Sequence, residues 1–243
     1  MSIEINDINT NGLLVNSFLD SHENISCFVP ICPYSYMANP PFLKEYIPWL
    51  METGHEILII VGDYLERHNI AFFKDVPIDE AWQDSRKKGN KILKTVNTII
   101  SEHQGYSHVN ATSTVDFILS SQCKQILSEL ESYFKNNNSF RKDVLSQTEN
   151  MLENTNRMPT DQQIISKGSL ENLCRYMLEE IALYIFLYQR GYQVEIYPGR
   201  DMEILQKMVN KQYPNFPYDY KYRTHISVTV SPNKPFYSNG LES

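Results

Sequence analysis

The chain has 243 residues, 42% of them hydrophobic and 12% aromatic, enough to bury one full core. Acidic residues number 29 against 22 basic, and the net charge of −7 argues against a general nucleic-acid coat protein while leaving room for a local basic patch. The longest apolar run, 181–188, has eight residues, well short of the ~20 that span a bilayer. No secretory signal pattern opens the sequence, and none of the nine glycines belongs to a nucleotide-phosphate motif. The four cysteines, Cys27, Cys32, Cys123 and Cys174, form neither a C-x-x-C pair nor a dense framework. These features predict a reduced, cytoplasmic, single-domain protein without structural zinc.

In chain order, the polar, Asn-rich residues 1–24 read as an irregular lead-in to a core at 25–230, with 231–243 as a tail. Ile25 to Cys32 is an apolar run of strand length that stops at Pro33. Phe42 to Met51 is helical, with Leu43, Tyr46, Ile47 and Leu50 on one side and a kink or a later start at Pro48. Glu56 to Asp63 is the clearest strand, apolar enough to be covered on both faces. Ile78 to Glu102 is a long helix and His108 to Ala111 a short strand. Thr114 to Phe134 and Phe140 to Asn154 are helical, separated by Asn136-Asn137-Asn138. Ser169 caps a helix that runs to Arg190 and ends at Gly191. Tyr192 to Tyr197 is a strand, Met202 to Met208 a short helix and His225 to Val230 a last alternating strand. Alternating strands and helices predict an α/β sandwich with a mostly parallel sheet of about five strands.

Four features are candidates for chemistry. Cys32 follows the first strand, where parallel sheets bind ligands, and a thiolate there is a competent nucleophile; a buried packing cysteine is the alternative. Leu173, Tyr176, Met177, Glu180, Leu183, Tyr184 and Leu187 share one face of the late helix. Glu180, in that apolar stripe, requires either a cationic partner or a raised pKa, whereas Glu179 points elsewhere and is expected to be solvated. Glu195 and Tyr197 share one face of a strand. Glu195 there either selects a polar or basic ligand group or belongs to an edge strand facing water. The stretch Arg86 to Lys94 holds five positive charges and no acid, leaving −12 on the rest of the chain. Arg86, Lys87, Lys91 and Lys94 span an arc of about 140° opposite Ile92, Leu93, Val96 and Ile99, a polyanion footprint.

The set resembles the cyclodipeptide synthases, which are related in fold to class I aminoacyl-tRNA synthetase catalytic domains. The resemblance runs from about Ser26 to Val230. The segment Pro30-Ile31-Cys32-Pro33-Tyr34-Ser35 is similar to the family's nucleophile turn, with Cys32 where the family usually has Ser and Pro30 where it has Gly. A one-gap shift makes Ser35 the nucleophile instead. Trp49 and Asp63 keep register with Cys32, Tyr176 and Glu180 fit the family's Tyr-x-x-x-Glu, and Tyr197-Pro198 fits its Tyr-Pro branch.

The resemblance implies a Rossmann-like three-layer fold and a ping-pong reaction on two aminoacyl-tRNAs, with no cofactor, metal or membrane and a monomer or weak dimer. Cys32 attacks the first ester and holds the aminoacyl group as a thioester. The second substrate's amine attacks it, and the dipeptidyl intermediate closes to a diketopiperazine. Glu180 and Tyr176 anchor the α-ammonium, and Tyr197 orients the nucleophile or relays a proton. Phe28, Pro30, Ile60 and Leu183 line the first aminoacyl pocket, with Ser35 beside it. Glu195 lies near the second, which predicts a polar or cationic substrate side chain. Arg86, Lys87, Lys91 and Lys94 contact tRNA. A non-catalytic tRNA- or acidic-partner-binding module and a Cys-dependent acyl hydrolase are the competing readings; the hydrolase needs a His base that no motif supplies.

Overall fold

The apolar run Glu56–Val61 does pair on both edges, in parallel with Ser26–Ile31 on one side and Val109–Ser113 on the other. A computed structural model describes residues 2–9, 25–103, 108–154, 167–221 and 223–231. Its strands are β1 (Ser2–Asn9), β2 (Ser26–Ile31), β3 (Glu56–Val61), β4 (Val109–Ser113), β5 (Val194–Tyr197) and β6 (Thr224–Ser231), in the spatial order β1-β6-β5-β2-β3-β4. All pairs are parallel except β1 with β6. The helices are α1 (Pro40–Glu52), α2 (Asp63–Lys74), α3 (Ile78–Glu102), α4 (Val115–Ile118), α5 (Ser121–Asn136), α6 (Asn138–Asn154), α7 (Lys167–Gln189) and α8 (Glu203–Val209).

Strand alternation builds the layers. Cys27, Val29 and Ile31 of β2 and Ile57, Ile59 and Val61 of β3 pack against Leu43, Ile47 and Leu50 of α1 and Ile92, Val96 and Ile99 of α3. Phe28, Leu58 and Ile60 face the opposite way, onto α5, α6, α7 and α8. The fold is thus a three-layer, Rossmann-like α/β sandwich. No helix among the described residues is long and apolar enough to cross a membrane.

Four elements differ from the sequence expectation. Residues 2–9, read as part of an irregular lead-in, form an antiparallel strand that covers the free edge of β6. The helix expected over Thr114 to Phe134 is two, because Ser120 leaves helical geometry and its Oγ accepts a hydrogen bond from the Cys123 amide at 3.2 Å, capping α5. α7 starts at Lys167, two residues before the expected cap at Ser169. α2 has no counterpart in the sequence expectation. The far end of α7 closes as expected: Gly191 adopts φ +94°, and the Gly191 and Tyr192 amides donate to the Tyr188 and Leu187 carbonyls. The proposed tail from 232 onward lies outside the described residues.

The chain order places a switch point beside β2. After β2 it steps outward through β3 and β4, then returns to the other side for β5 and β6. Ligands of open parallel sheets bind where such connections part, outside the carboxyl ends of the strands. Here β5 pairs with β2 only at Cys27 and Phe28, so a crevice opens beyond them. Pro30 fits for the same reason. The Ile25 and Ile31 carbonyls accept from Glu56 and Gly62, which turns odd residues toward β3 and Pro30 toward β5, where no ladder bond is left for its missing N–H to make.

Candidate active site

The crevice deepens into a cavity of about 750 Å³ between the sheet and α7. Its walls follow from the two periodicities. Phe28 and Pro30, on alternate positions of β2, point the same way as Ile60 of β3, and Cys32 follows at the tip. Opposite, Tyr176, Glu180, Leu183 and Tyr184 recur at helical spacing along α7. Ser35, Glu195 and Tyr197 complete the set expected from the sequence. Every expected catalytic and pocket residue therefore reaches one cavity. Arg86, Lys87, Lys91 and Lys94 are elsewhere, exposed on the outer face of α3.

Cys32 is not simply packed. Its Sγ donates to Glu66 Oε1 at 3.0 Å. Burial, then the charge and hydrogen bond of Glu66, push the thiol pKa well up; the Tyr34 amide works the other way, and Glu180 adds to the rise. Ser35 is occupied otherwise: its Oγ and amide both donate to the Cys32 carbonyl, at 2.9 and 3.1 Å, and close the turn after β2. That geometry favours sulfur over the Ser35 hydroxyl as the group presented to a ligand.

Glu180 has no ion-pair partner among the described residues. Burial, then the charges of Glu195 and Glu66, raise its pKa to about 8, against a stabilising hydrogen bond from Tyr184. Of the two alternatives for a carboxylate in an apolar stripe, the raised pKa is realised. Burial also raises Tyr176 and Tyr197, whose phenols share the same surroundings as Cys32 and Glu180. Tyr197 is set by its loop. A Cβ on Gly199 would meet the Tyr197 ring at 2.6 Å, so only glycine lets the chain pass. Tyr36, from the turn after β2, donates to the Pro198 carbonyl at 3.2 Å and ties the two lips together.

Two expectations about acids are corrected. Glu179, expected in solvent, is 2% exposed and accepts from Arg67 at 2.7 Å and His68 at 3.0 Å, both on α2. One residue of helix turns it about 100° from Glu180, toward α2 instead of the cavity. Burial opposes its charge, but His68 and Arg67 together hold it below the usual carboxylate range. Burial lowers His68, and the positive charge beside Glu179 is carried by Arg67 and by Arg175, whose Nε lies 3.3 Å from Oε1. Glu195 does not face water at an edge strand: β5 is interior and Glu195 is buried. Arg223 pairs with it and with Asp201, the latter at 2.7 Å. His225 Nδ1 lies 3.2 Å from Glu195 and its Nε2 3.1 Å from the Gly199 carbonyl. Facing two acceptors, His225 is raised by Glu195 and Asp201 despite burial. Ligand atoms of Glu195, Asp201 and His225 lie within 4.8 Å of one another, but the Arg223 guanidinium already bridges the two acids. The charge of Glu195 thus has partners inside the protein, where the sequence suggested it free for a cationic ligand group.

Sequence reasoning missed α2 and with it Glu66, Asn69, Arg67 and His68. The signal was present as Asp63-Tyr64-Leu65-Glu66 directly after the strand-ending Gly62, acids in the first turn of a helix. Asn69 also lines the cavity, and its Oδ1 has no hydrogen-bond partner among the described residues. α3 is joined to the site through Lys88, whose Nζ sits 3.6 Å over the Tyr34 ring.

No protein-family model matches the chain, and no curated protein does. Solved structures do. A cyclodipeptide synthase from Bacillus thermoamylovorans superimposes with a TM-score of 0.72 at 13% identity, covering 93% of this chain and 96% of that one. One from Fluoribacter dumoffii gives 0.71 at 14% identity over 93% and 96%. One from Candidatus Glomeribacter gigasporarum, solved bound to Phe-tRNA, gives 0.55 at 17% identity over 93% and 97%. The chain has the fold of the cyclodipeptide synthases.

Proposed function

We propose that this protein is a tRNA-dependent cyclodipeptide synthase, an aminoacyltransferase that makes a diketopiperazine from two aminoacyl-tRNAs. The observation that carries the reading is the cavity at the switch point, where the Cys32 thiol and Glu180, which has no ion-pair partner among the described residues, share walls with Tyr176 and Tyr197. Cys32 sulfur attacks the ester carbonyl of the first substrate; the C–S bond forms, the C–O bond to the ribose breaks, and the departing oxygen takes a proton. Glu180 holds the α-ammonium, an interaction strengthened in a desolvated site. The orphan Oδ1 of Asn69 supplies another acceptor for its N–H bonds. Amide formation with the second aminoacyl group gives a dipeptidyl intermediate, and attack of its free amine on the remaining activated carbonyl closes the ring.

The exposed basic face of α3 supports docking of the tRNA. A hydrolase is disfavoured because the partner of the thiol is a carboxylate, while His68 and His225 are committed to Glu179 and Glu195. Mass spectrometry of medium from a host expressing the chain tests the reading. A diketopiperazine that disappears in Cys32→Ala supports it. Salt-dependent tRNA binding with no labelled aminoacyl group trapped on Cys32 makes the protein a binding module instead.

A further inference from the structure

We propose that Glu66 is the proton acceptor for Cys32, and that Asn69 is the positioning residue that aims it. The inference deepens the function proposed above and rests on it for the substrate. Cys32 Sγ and Glu66 Oε1 are 3.0 Å apart, inside the range in which a catalytic base must lie from the proton it takes. The other carboxylate oxygen, Oε2, accepts from Asn69 Nδ2 at 3.2 Å, one turn further along α2. That bond leaves Oε1 directed at the thiol. Glu66 stands in the first turn of α2, where the helix N-terminus favours negative charge.

The surroundings leave the role to Glu66. From α7 the thiol feels Glu180 and Tyr176, from β5 Tyr197, and from its own turn the Tyr34 backbone amide. Glu180 faces Glu66 and Glu195 and keeps its own proton until about pH 8. The Tyr176 and Tyr197 phenols, whose pKa burial raises, are donors and accept no proton at neutral pH. Creating a bare thiolate here places a second negative charge among acids, whereas moving the proton from Sγ to Oε1 leaves the net charge unchanged. The proton leaves sulfur as the C–S bond forms, and passes from Glu66 to the ribose oxygen as the C–O bond breaks. No oxidant, metal or further reactant is required.

Two readouts test this on the full chain. The first follows alkylation of Cys32 by iodoacetamide, read on the Cys32 peptide, from about pH 6 to about pH 10. With an internal acceptor, labelling of the wild type is flat through neutral pH. In Glu66→Gln it is at least about tenfold slower at neutral pH and climbs about tenfold per pH unit, because the proton must go to solvent. Glu66→Asp restores part of the flat region. The second is aminoacyl transfer to Cys32, expected to fall about 10²- to 10⁴-fold in Glu66→Gln. Identical pH profiles in wild type and Glu66→Gln overturn the proposal. So does faster labelling of Glu66→Gln at neutral pH, which assigns Glu66 the opposite role of a charge suppressing the thiolate. A flat wild-type profile that Glu66→Gln abolishes, with no aminoacyl transfer by either protein, upholds the acceptor and overturns the function.

Discussion

Replacing Glu180 by Gln should stabilise the protein, and by an amount that depends on pH in a defined direction. The carboxyl rises from an ordinary 4.5 to about 8 in the folded chain, chiefly through burial and then through Glu195 and Glu66. Between those values the folded state holds a proton that the unfolded state has released, so stability falls as pH rises. At 1.36 kcal/mol per pH unit the full cost has an upper bound of about 5 kcal/mol above pH 8, and water in the open cavity reduces it to an expected ~2–3 kcal/mol. Gln keeps the shape and the hydrogen-bonding partner Tyr184 but never ionises. Urea melts of wild type and Glu180→Gln at a series of pH values measure the difference. The variant should match the wild type below about pH 4.5 and gain steadily to a plateau above about pH 8. A variant that is less stable at pH 9 than at pH 4, relative to wild type, refutes the burial of Glu180 without an ion-pair partner among the described residues.

Activity should move the opposite way. Glu180→Gln and Cys32→Ala should each abolish diketopiperazine formation, read by mass spectrometry, while circular dichroism stays native. Glu179→Gln should instead hit stability, because it leaves the Arg67 guanidinium buried with a weakened partner; a loss of about 3–5 kcal/mol is expected in denaturant melts. Lys87→Glu with Lys91→Glu should raise the KM for aminoacyl-tRNA at low salt with little change in kcat. The log–log salt slope should shrink by about 1 for each tRNA phosphate that the variant no longer neutralises.

Much of the site was legible because it rests on short-range periodicity. The period of two along Phe28, Pro30 and Cys32 and the spacing of Tyr176, Glu180 and Leu183 are properties of neighbours in sequence. What stayed hidden depends on distant partners. α2 buries Asp63, Glu66, Arg67 and Asn69, polar residues that read as surface unless their partners are known; Arg67 answers Glu179 from 112 residues away. Glu195 looked available because Arg223 and His225 lie on and beside a strand 30 residues later. β1 escaped notice because its Asn- and Asp-containing sequence owes its conformation to a ladder with the far end of the chain. Strand identity there is a property of the pair, not of the segment.

The electrostatics of the cavity argue for its substrate more directly than any one residue does. Cysteine nucleophiles that act on neutral amides lie beside a cation that lowers their pKa. Cys32 lies among carboxyls that raise it, an arrangement that costs thiolate and stability alike. The acids beside Cys32 suit a ligand that brings positive charge to that end of the cavity. Under the proposed function an aminoacyl ester would do so: its α-ammonium would meet Glu180 and the Oδ1 of Asn69, and its binding would convert Glu180 from a protonated acid into an ionised partner. The positive charge would then sit close to the sulfur and lower the cost of the developing thiolate as the ester arrives. On this account N-acetylation of the aminoacyl group removes the activating charge as well as a binding interaction. Cys32 acylation by an N-acetyl-aminoacyl-tRNA should fall by more than the loss of binding explains, with the deficit in the rate at saturation. A deficit confined to KM would show that the acids only hold the substrate.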